Sequence, residues 1–120
     1  MRSRIALACA GLAVLCGHAY GQESCTPIRF ASGRTSATIR GIASSESPAC
    51  YALTTRAGQT ASVKIMPQSR NDDTAFSIEG VIDDRDRYSF RTQAATYKIL
   101  VFLTFARQPP RPFVMQVSVR

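Results

Sequence analysis

The chain has 120 residues, a formal net charge of +7 and 45% hydrophobic residues. That length holds one small domain, and that apolar content excludes an intrinsically disordered chain. The only histidine, His18, lies in the N-terminal segment, so the rest of the chain has no imidazole for Ser-His or Cys-His catalysis.

Met1-Arg2-Ser3-Arg4 is a basic head, residues 5–16 are almost wholly apolar, and small residues follow. This is the pattern of a secretory signal peptide over residues 1–21, with cleavage after Ala19 or after Gly21. A lipoprotein anchor on Cys16 is disfavoured, because Leu15 stands where a lipobox wants a small residue. Residues 22–120 are then a single exported domain, periplasmic or secreted, with no membrane anchor. Cleavage takes Arg2 and Arg4 from the 15 Lys and Arg, leaving 13 against 8 Asp and Glu, or +5. It also removes Cys9 and Cys16. The remaining pair, Cys25 and Cys50, reads as one disulfide in an oxidising compartment. Closing a loop of that size stabilises by about 3 kcal/mol on the chain-entropy account.

The first predicted strand is 27–30, followed by a turn in which Gly33 accepts a positive φ. A second strand covers 36–42, a Ser-rich loop with Pro48 follows, and a third strand covers 50–55 with Tyr51 and Leu53 on one face. Ala57-Gly58-Gln59 turns the chain into 60–66. There Ala61, Val63 and Ile65 point inward and Ser62 and Lys64 point to water, the alternation of a half-buried antiparallel strand. Pro67 ends it, and 68–73 is polar loop. A short strand, 75–78, precedes Gly80. Residues 83–87, Asp83-Asp84-Arg85-Asp86-Arg87, read as a charged loop before a strand at 88–91. The most hydrophobic run outside the N-terminus is 96–105, with Tyr97, Ile99, Val101 and Leu103 on one face and Leu100 and Phe102 on the other. A strand apolar on both faces belongs in the middle of a sandwich. After the stiff segment 106–112, Phe113, Met115, Val117 and Val119 alternate again, so 96–119 is expected to form a hairpin. Seven or eight short strands without helical periodicity predict an all-β fold, a small antiparallel β-sandwich.

Candidate chemistry is sparse. Asp83, Asp84 and Asp86 are close in sequence, but Arg85 and Arg87 interleave with them, the pattern of a self-neutralising charged turn. Calcium would want such clustered oxygens, yet the spacing lacks the glycine and distal glutamate of an EF-hand loop. No metal and no cofactor is expected, and there is no glycine-rich phosphate loop. Nucleic acid is not expected as a partner either: the aromatics fall on core positions and the arginines form no single run. The strongest candidate contact is the loop 107–112. Its three prolines cut the entropy lost on docking, and Arg107 and Arg111 each offer a fork that engages a carboxylate bidentately. Asp83, Asp84 and Arg85 form the second candidate contact. An exposed sandwich edge also permits pairing of two copies into a homodimer.

One set of residues points to a family: Arg29-Phe30-Ala31 with Gly33, Ser36-Ala37, Gly41, Tyr51, Ala57-Gly58-Gln59, Val63, Phe76 and Gly80. The set continues with Tyr88 and Phe90, Tyr97 and Val101, Ala106-Arg107, and Phe113 with Val117. It resembles the bacterial periplasmic inhibitors of goose-type lysozyme and, more loosely, the β-sandwich modules that follow secreted peptidases. The resemblance implies a non-enzymatic sandwich that plugs the cleft of a host lysozyme, with Arg107 pairing with an acidic catalytic residue there. Two departures stand out. The stretch from Met66 to Tyr88 is short against the family pattern. Ala94-Ala95-Thr96 also stands where the family often has a glycine; a positive φ at Ala95 would cost about 1 kcal/mol. Two rival readings remain: a non-inhibitory module binding cell-wall glycan or an envelope protein, and an enzyme using the Asp83 to Asp86 cluster.

Overall fold

A computed structural model of the chain describes residues 24–120. The expected signal peptide, its two cleavage positions, His18 and Cys16 lie outside the described residues. Within them, nine strands follow in order: β1 (Thr26–Pro27), β2 (Ser36–Ala43), β3 (Ala49–Thr55), β4 (Thr60–Met66), β5 (Thr74–Ile78), β6 (Ile82–Arg85), β7 (Arg87–Arg91), β8 (Ala95–Leu103) and β9 (Arg111–Val119). They build a five-stranded sheet, β1-β3-β8-β5-β6, and a four-stranded sheet, β2-β9-β4-β7. All pairings are antiparallel except β1 with β3. The all-β sandwich expected from the strand pattern is the fold found.

The alternation along each strand decides what fills the space between the sheets. From the five-stranded sheet come Leu53, Phe76, Ile78, Ile99, Val101 and Leu103; from the other come Ala61, Val63, Ile65, Phe113, Met115 and Val117, all buried. Each removes apolar area from water, worth about 1.5–3 kcal/mol for a side chain of Val, Leu, Ile or Phe size. β8 sits at the centre of its sheet, as an apolar run on both faces suggests, with Leu100 and Phe102 half-buried on the outside. Tyr51 reaches across from β3 and meets Phe113 of β9 edge to face, centroids 6.2 Å apart. Burial raises the pKa of its phenol above the ordinary value.

Four expectations need correction. The stretch 96–119 is not a hairpin: β8 and β9 lie in opposite sheets, and residues 104–110 carry the chain from one to the other. Facing each other across the core, the two strands bury both apolar inner faces at once. The charged loop 83–87 is instead a strand, β6, followed directly by β7 in the other sheet. A register shift between Phe76 and Ile78 leaves one extra residue on β6, and Asp84 takes φ 52° there while its N–H donates to Ser77 Oγ at 3.0 Å. Asp tolerates that conformation better than most residues, and the charges suit an unpaired sheet edge. The strand expected at 27–30 is only the parallel pair Thr26–Pro27, extended by one bond from Ile28 N–H to the Ala52 carbonyl. The Cys25–Cys50 disulfide brings this segment alongside β3. Ala95 lies inside β8 with no positive φ, so the strain anticipated there is absent.

The corner around Ala57-Gly58-Gln59 explains that motif. Gly58 has φ +80°, and its N–H donates to the Thr92 carbonyl at 2.8 Å. The Thr92 hydroxyl donates to the Arg56 carbonyl at 2.6 Å, which locks the β3–β4 turn onto the β7–β8 corner. Nearby, the Tyr97 hydroxyl accepts from the Gln93 N–H at 2.9 Å, an arrangement like the tyrosine corner of other sandwiches.

Gly41 is required by packing. A Cβ there would stand 2.6 Å from the Tyr51 hydroxyl and 2.9 Å from the Phe113 ring. Gly41→Ala should therefore destabilise by about 2 kcal/mol. Urea unfolding should show a lower midpoint with an unchanged slope; an unchanged midpoint would mean that the two rings move aside freely.

Candidate functional site

Backbone hydrogen bonds gather several connections at one end of the sandwich. β8 ends at Leu103, whose N–H donates to the Ser44 carbonyl at 3.2 Å, while the Thr104 N–H donates to the Asp73 carbonyl at 3.1 Å. Loops 44–48, 67–73 and 104–110 thus share a common base. The Asp86 crossover joins the same end, its carbonyl accepting from Ile65 N–H at 2.8 Å. Local side chains stiffen the neighbours: Ser44 Oγ accepts from the N–H groups of Glu46 and Ser47.

The apex of loop 104–110 is the turn at Ala106-Arg107. Arg107 takes φ 62°, a left-handed conformation that disfavours any residue with a Cβ. Such strain costs on the order of 1 kcal/mol and is stored where the surroundings hold it. The prolines at 109 and 110 limit the ways this turn can relax. Arg107 is exposed, and among the described residues it has no ion pair. Two residues before it, Phe105 is 66% exposed. An exposed arginine and an exposed aromatic ring two residues apart on one loop are of the types that often anchor protein interfaces.

Arg111 has a different role. Its Nη1 lies 3.3 Å from Asp73 Oδ1 and 3.9 Å from Asp72 Oδ1, and both carboxylates are nearly buried. Asp72 is the hub of the β4–β5 loop: it accepts from the N–H of Gln68 at 2.8 Å and of Thr74 at 3.0 Å. Burial alone would raise the Asp72 pKa. Hydrogen bonds from Gln68 and Thr74 and the Arg111 charge outweigh it and hold the carboxyl below its ordinary value. Arg111 therefore clamps the start of β9 to the β4–β5 loop, beneath the turn that Arg107 tips.

Asp83, Asp84 and Arg85 lie on β6, at the edge of the five-stranded sheet and separated from β8 by β5. Arg85 stands with its guanidinium carbon 5.7 Å from the centre of the Tyr88 ring, a cation–π contact from one sheet to the other. The C-terminal end of β6 points to the same end of the sandwich as loop 104–110, since Phe76 pairs with both Arg85 and Val101. No ion pair among the described residues joins these three to Arg107. Phe105 escaped the strand pattern, because it extends the apolar run of β8 without a break in composition. The only sequence signal for it is its parity. It shares a face with Leu103 but lies beyond the last paired residue.

No family model matches this sequence, and no curated protein matches it. Solved structures do. The periplasmic inhibitor of g-type lysozyme from Aeromonas hydrophila is 26% identical, with TM-score 0.67 over 81% of this chain and 96% of that one. The inhibitor of g-type lysozyme from Salmonella Typhimurium is 16% identical, with TM-score 0.64 over 82% of this chain and all of that one. A mutant of the Escherichia coli inhibitor is 17% identical, with TM-score 0.62 over 79% of this chain and 96% of that one. The family resemblance carried by the motifs and the likeness of fold thus point to the same proteins.

The Asp72 hub predicts an acid-sensitive limb of stability. A carboxyl whose folded pKa is depressed stabilises above its ordinary value, 3.8, and loses that contribution as pH falls through the lower folded value. Asp72→Asn should lower the melting temperature at pH 7, and the gap to wild type should shrink by pH 3. Thermal unfolding followed by circular dichroism checks this; a gap constant with pH would take Asp72 out of the clamp.

Proposed function

We propose that this chain is a periplasmic or secreted inhibitor of lysozyme, most closely of the g-type, and that it acts by occupying the enzyme's cleft without turnover. The observation that carries this reading is the fold match to the Aeromonas hydrophila inhibitor, which spans 96% of that protein. The tip geometry supports it independently. A muramidase cleft holds an acidic catalytic residue, and Arg107 is an exposed guanidinium with no ion pair among the described residues. Phe105 supplies apolar area beside it. The left-handed turn and the prolines behind it mean that little conformational entropy is left to lose on docking. Net charge does not steer the encounter, since many lysozymes are themselves basic; local complementarity does. Arg111 contributes by holding the loop's base, and Asp83, Asp84 and Arg85 flank the tip along the sheet edge.

Lysis assays with purified protein and goose-, chicken- and invertebrate-type lysozymes test this. Strong inhibition of the goose-type enzyme is expected. Arg107→Ala should weaken it at least tenfold, since truncating a buried interface arginine costs on the order of 2 kcal/mol. Phe105→Ser should weaken it less, and neither change should alter the melting temperature. Absence of inhibition of all three enzymes would end the inhibitor reading, whereas full potency of the Arg107 variant would end only the tip mechanism.

A further inference from the structure

The outer face of the four-stranded sheet has an order that neither the core nor the tip requires. Strand register lines up Ser36 with Ser118, Ser118 with Ser62, and Ser62 with Ser89. Four serines thus run in one row across β2, β9, β4 and β7, and the Ser62 and Ser89 hydroxyls touch at 2.7 Å. On one side the next row is Thr38, Gln116, Lys64 and Arg87. On the other, Thr60 lies between Arg91, its register partner, and Arg120, with which it exchanges two backbone hydrogen bonds. Short serines between longer side chains leave a shallow groove of ≈ 310 Å3, lined by Ser36, Ser62 and Ser118 with Lys64, Gln116 and Arg120 at its walls.

The electrostatics of this face are one-sided. None of the four strands contains an aspartate or glutamate. Lys64 and Arg87 are direct cross-strand partners, a placement that repels unless a counter-charge sits between them. Among the described residues neither they nor Arg91 and Arg120 have an ion pair. The aromatics of β7, Tyr88 and Phe90, turn toward the core instead, half-buried and stacked on each other. The face therefore has no platform on which a nucleic acid base could stack. What it does offer is a floor of hydroxyls about 14 Å long, from strands about 4.8 Å apart, with cations on both banks. Each hydroxyl can donate once and accept twice, which suits the hydroxyls of a sugar ring, and the cations suit its acidic substituents.

We infer that this groove binds a linear anionic polysaccharide, laid across the strands along the serine row with its acidic groups between Lys64, Arg87, Arg91 and Arg120. The site is separate from the proposed tip: six residues of β9 lie between Arg111 and Ser118, a span of about 24 Å of extended strand. It stands or falls independently of the lysozyme reading.

The test is fluorescence polarisation with a labelled heparin-derived hexasaccharide as the anionic probe, a neutral chitin hexasaccharide as control, and a poly-glutamate peptide of equal charge. Wild type should bind the heparin probe and not the chitin probe, at least tenfold more tightly than the peptide, and more weakly as salt rises. The triple change Lys64→Ala, Arg87→Ala, Arg91→Ala should lose at least tenfold. Ser62→Val with Ser118→Val should lose at least fivefold with all charges kept. Arg40→Ala, which removes a cation on the same face outside the groove, should leave binding unchanged. Lysozyme inhibition and the melting temperature, measured on each variant, report that the fold and tip are intact. Equal affinity for the peptide would replace the saccharide with an acidic protein partner and overturn the inference. So would unchanged binding by the serine variant, which reduces the effect to diffuse attraction, or no binding of the heparin probe at all.

Discussion

Everything in this molecule follows from two apolar sheet faces that must cover each other. The inner residues of β4, β8 and β9 are fully or nearly fully buried, and none of them can be satisfied by pairing within its own sheet. The chain answers by changing sheets at every connection except that between β5 and β6. Each crossing places a turn at one end of the sandwich, so loops accumulate at the ends while polar side chains collect on the outer faces.

At the tip, the two arginines nearest the prolines divide the work. Arg111 is drawn inward, because two nearly buried carboxylates would otherwise lack a counter-charge. Arg107 is exposed at a turn where it takes φ 62°. The clamp lies at the base of the loop that carries the exposed guanidinium. On the outer face of the four-stranded sheet, strict alternation brings the small polar residues of four strands into one row. Two surfaces of different character then sit on one small body, an exposed arginine loop and a cationic sheet face floored by hydroxyls.

Glycines and tyrosines that look like scattered family markers have local physical causes. Gly41 lets the Tyr51 phenol and the Phe113 ring come against the β2 backbone. Gly58 makes the corner that Thr92 seals. Tyr97 ties its own strand back to the preceding loop. The Gly41–Phe113 and Gly58–Thr92 contacts join segments far apart in the chain, whereas the Tyr97 bond is local.

Alternation by itself was enough to read the strands, the inward faces of β4 and β9, the all-β class and the cysteine pair, because period-two patterning and thiol count are local properties of the chain. Composition marked the Arg107 loop as a candidate contact, since prolines stiffen their immediate neighbours. Which strands share a sheet was beyond it: β8 and β9 look equally able to form a hairpin or to face each other, and only the burial of both inner faces together decides. The same holds for the charged stretch of β6, which shows no alternation because an edge strand has no face that must be dry. Arg111 and Arg107 are chemically identical in the sequence; the carboxylates that capture one of them arrive from a loop nearly forty residues away. The serine row exists only through register, a relation between four separate strands that no single stretch of sequence contains.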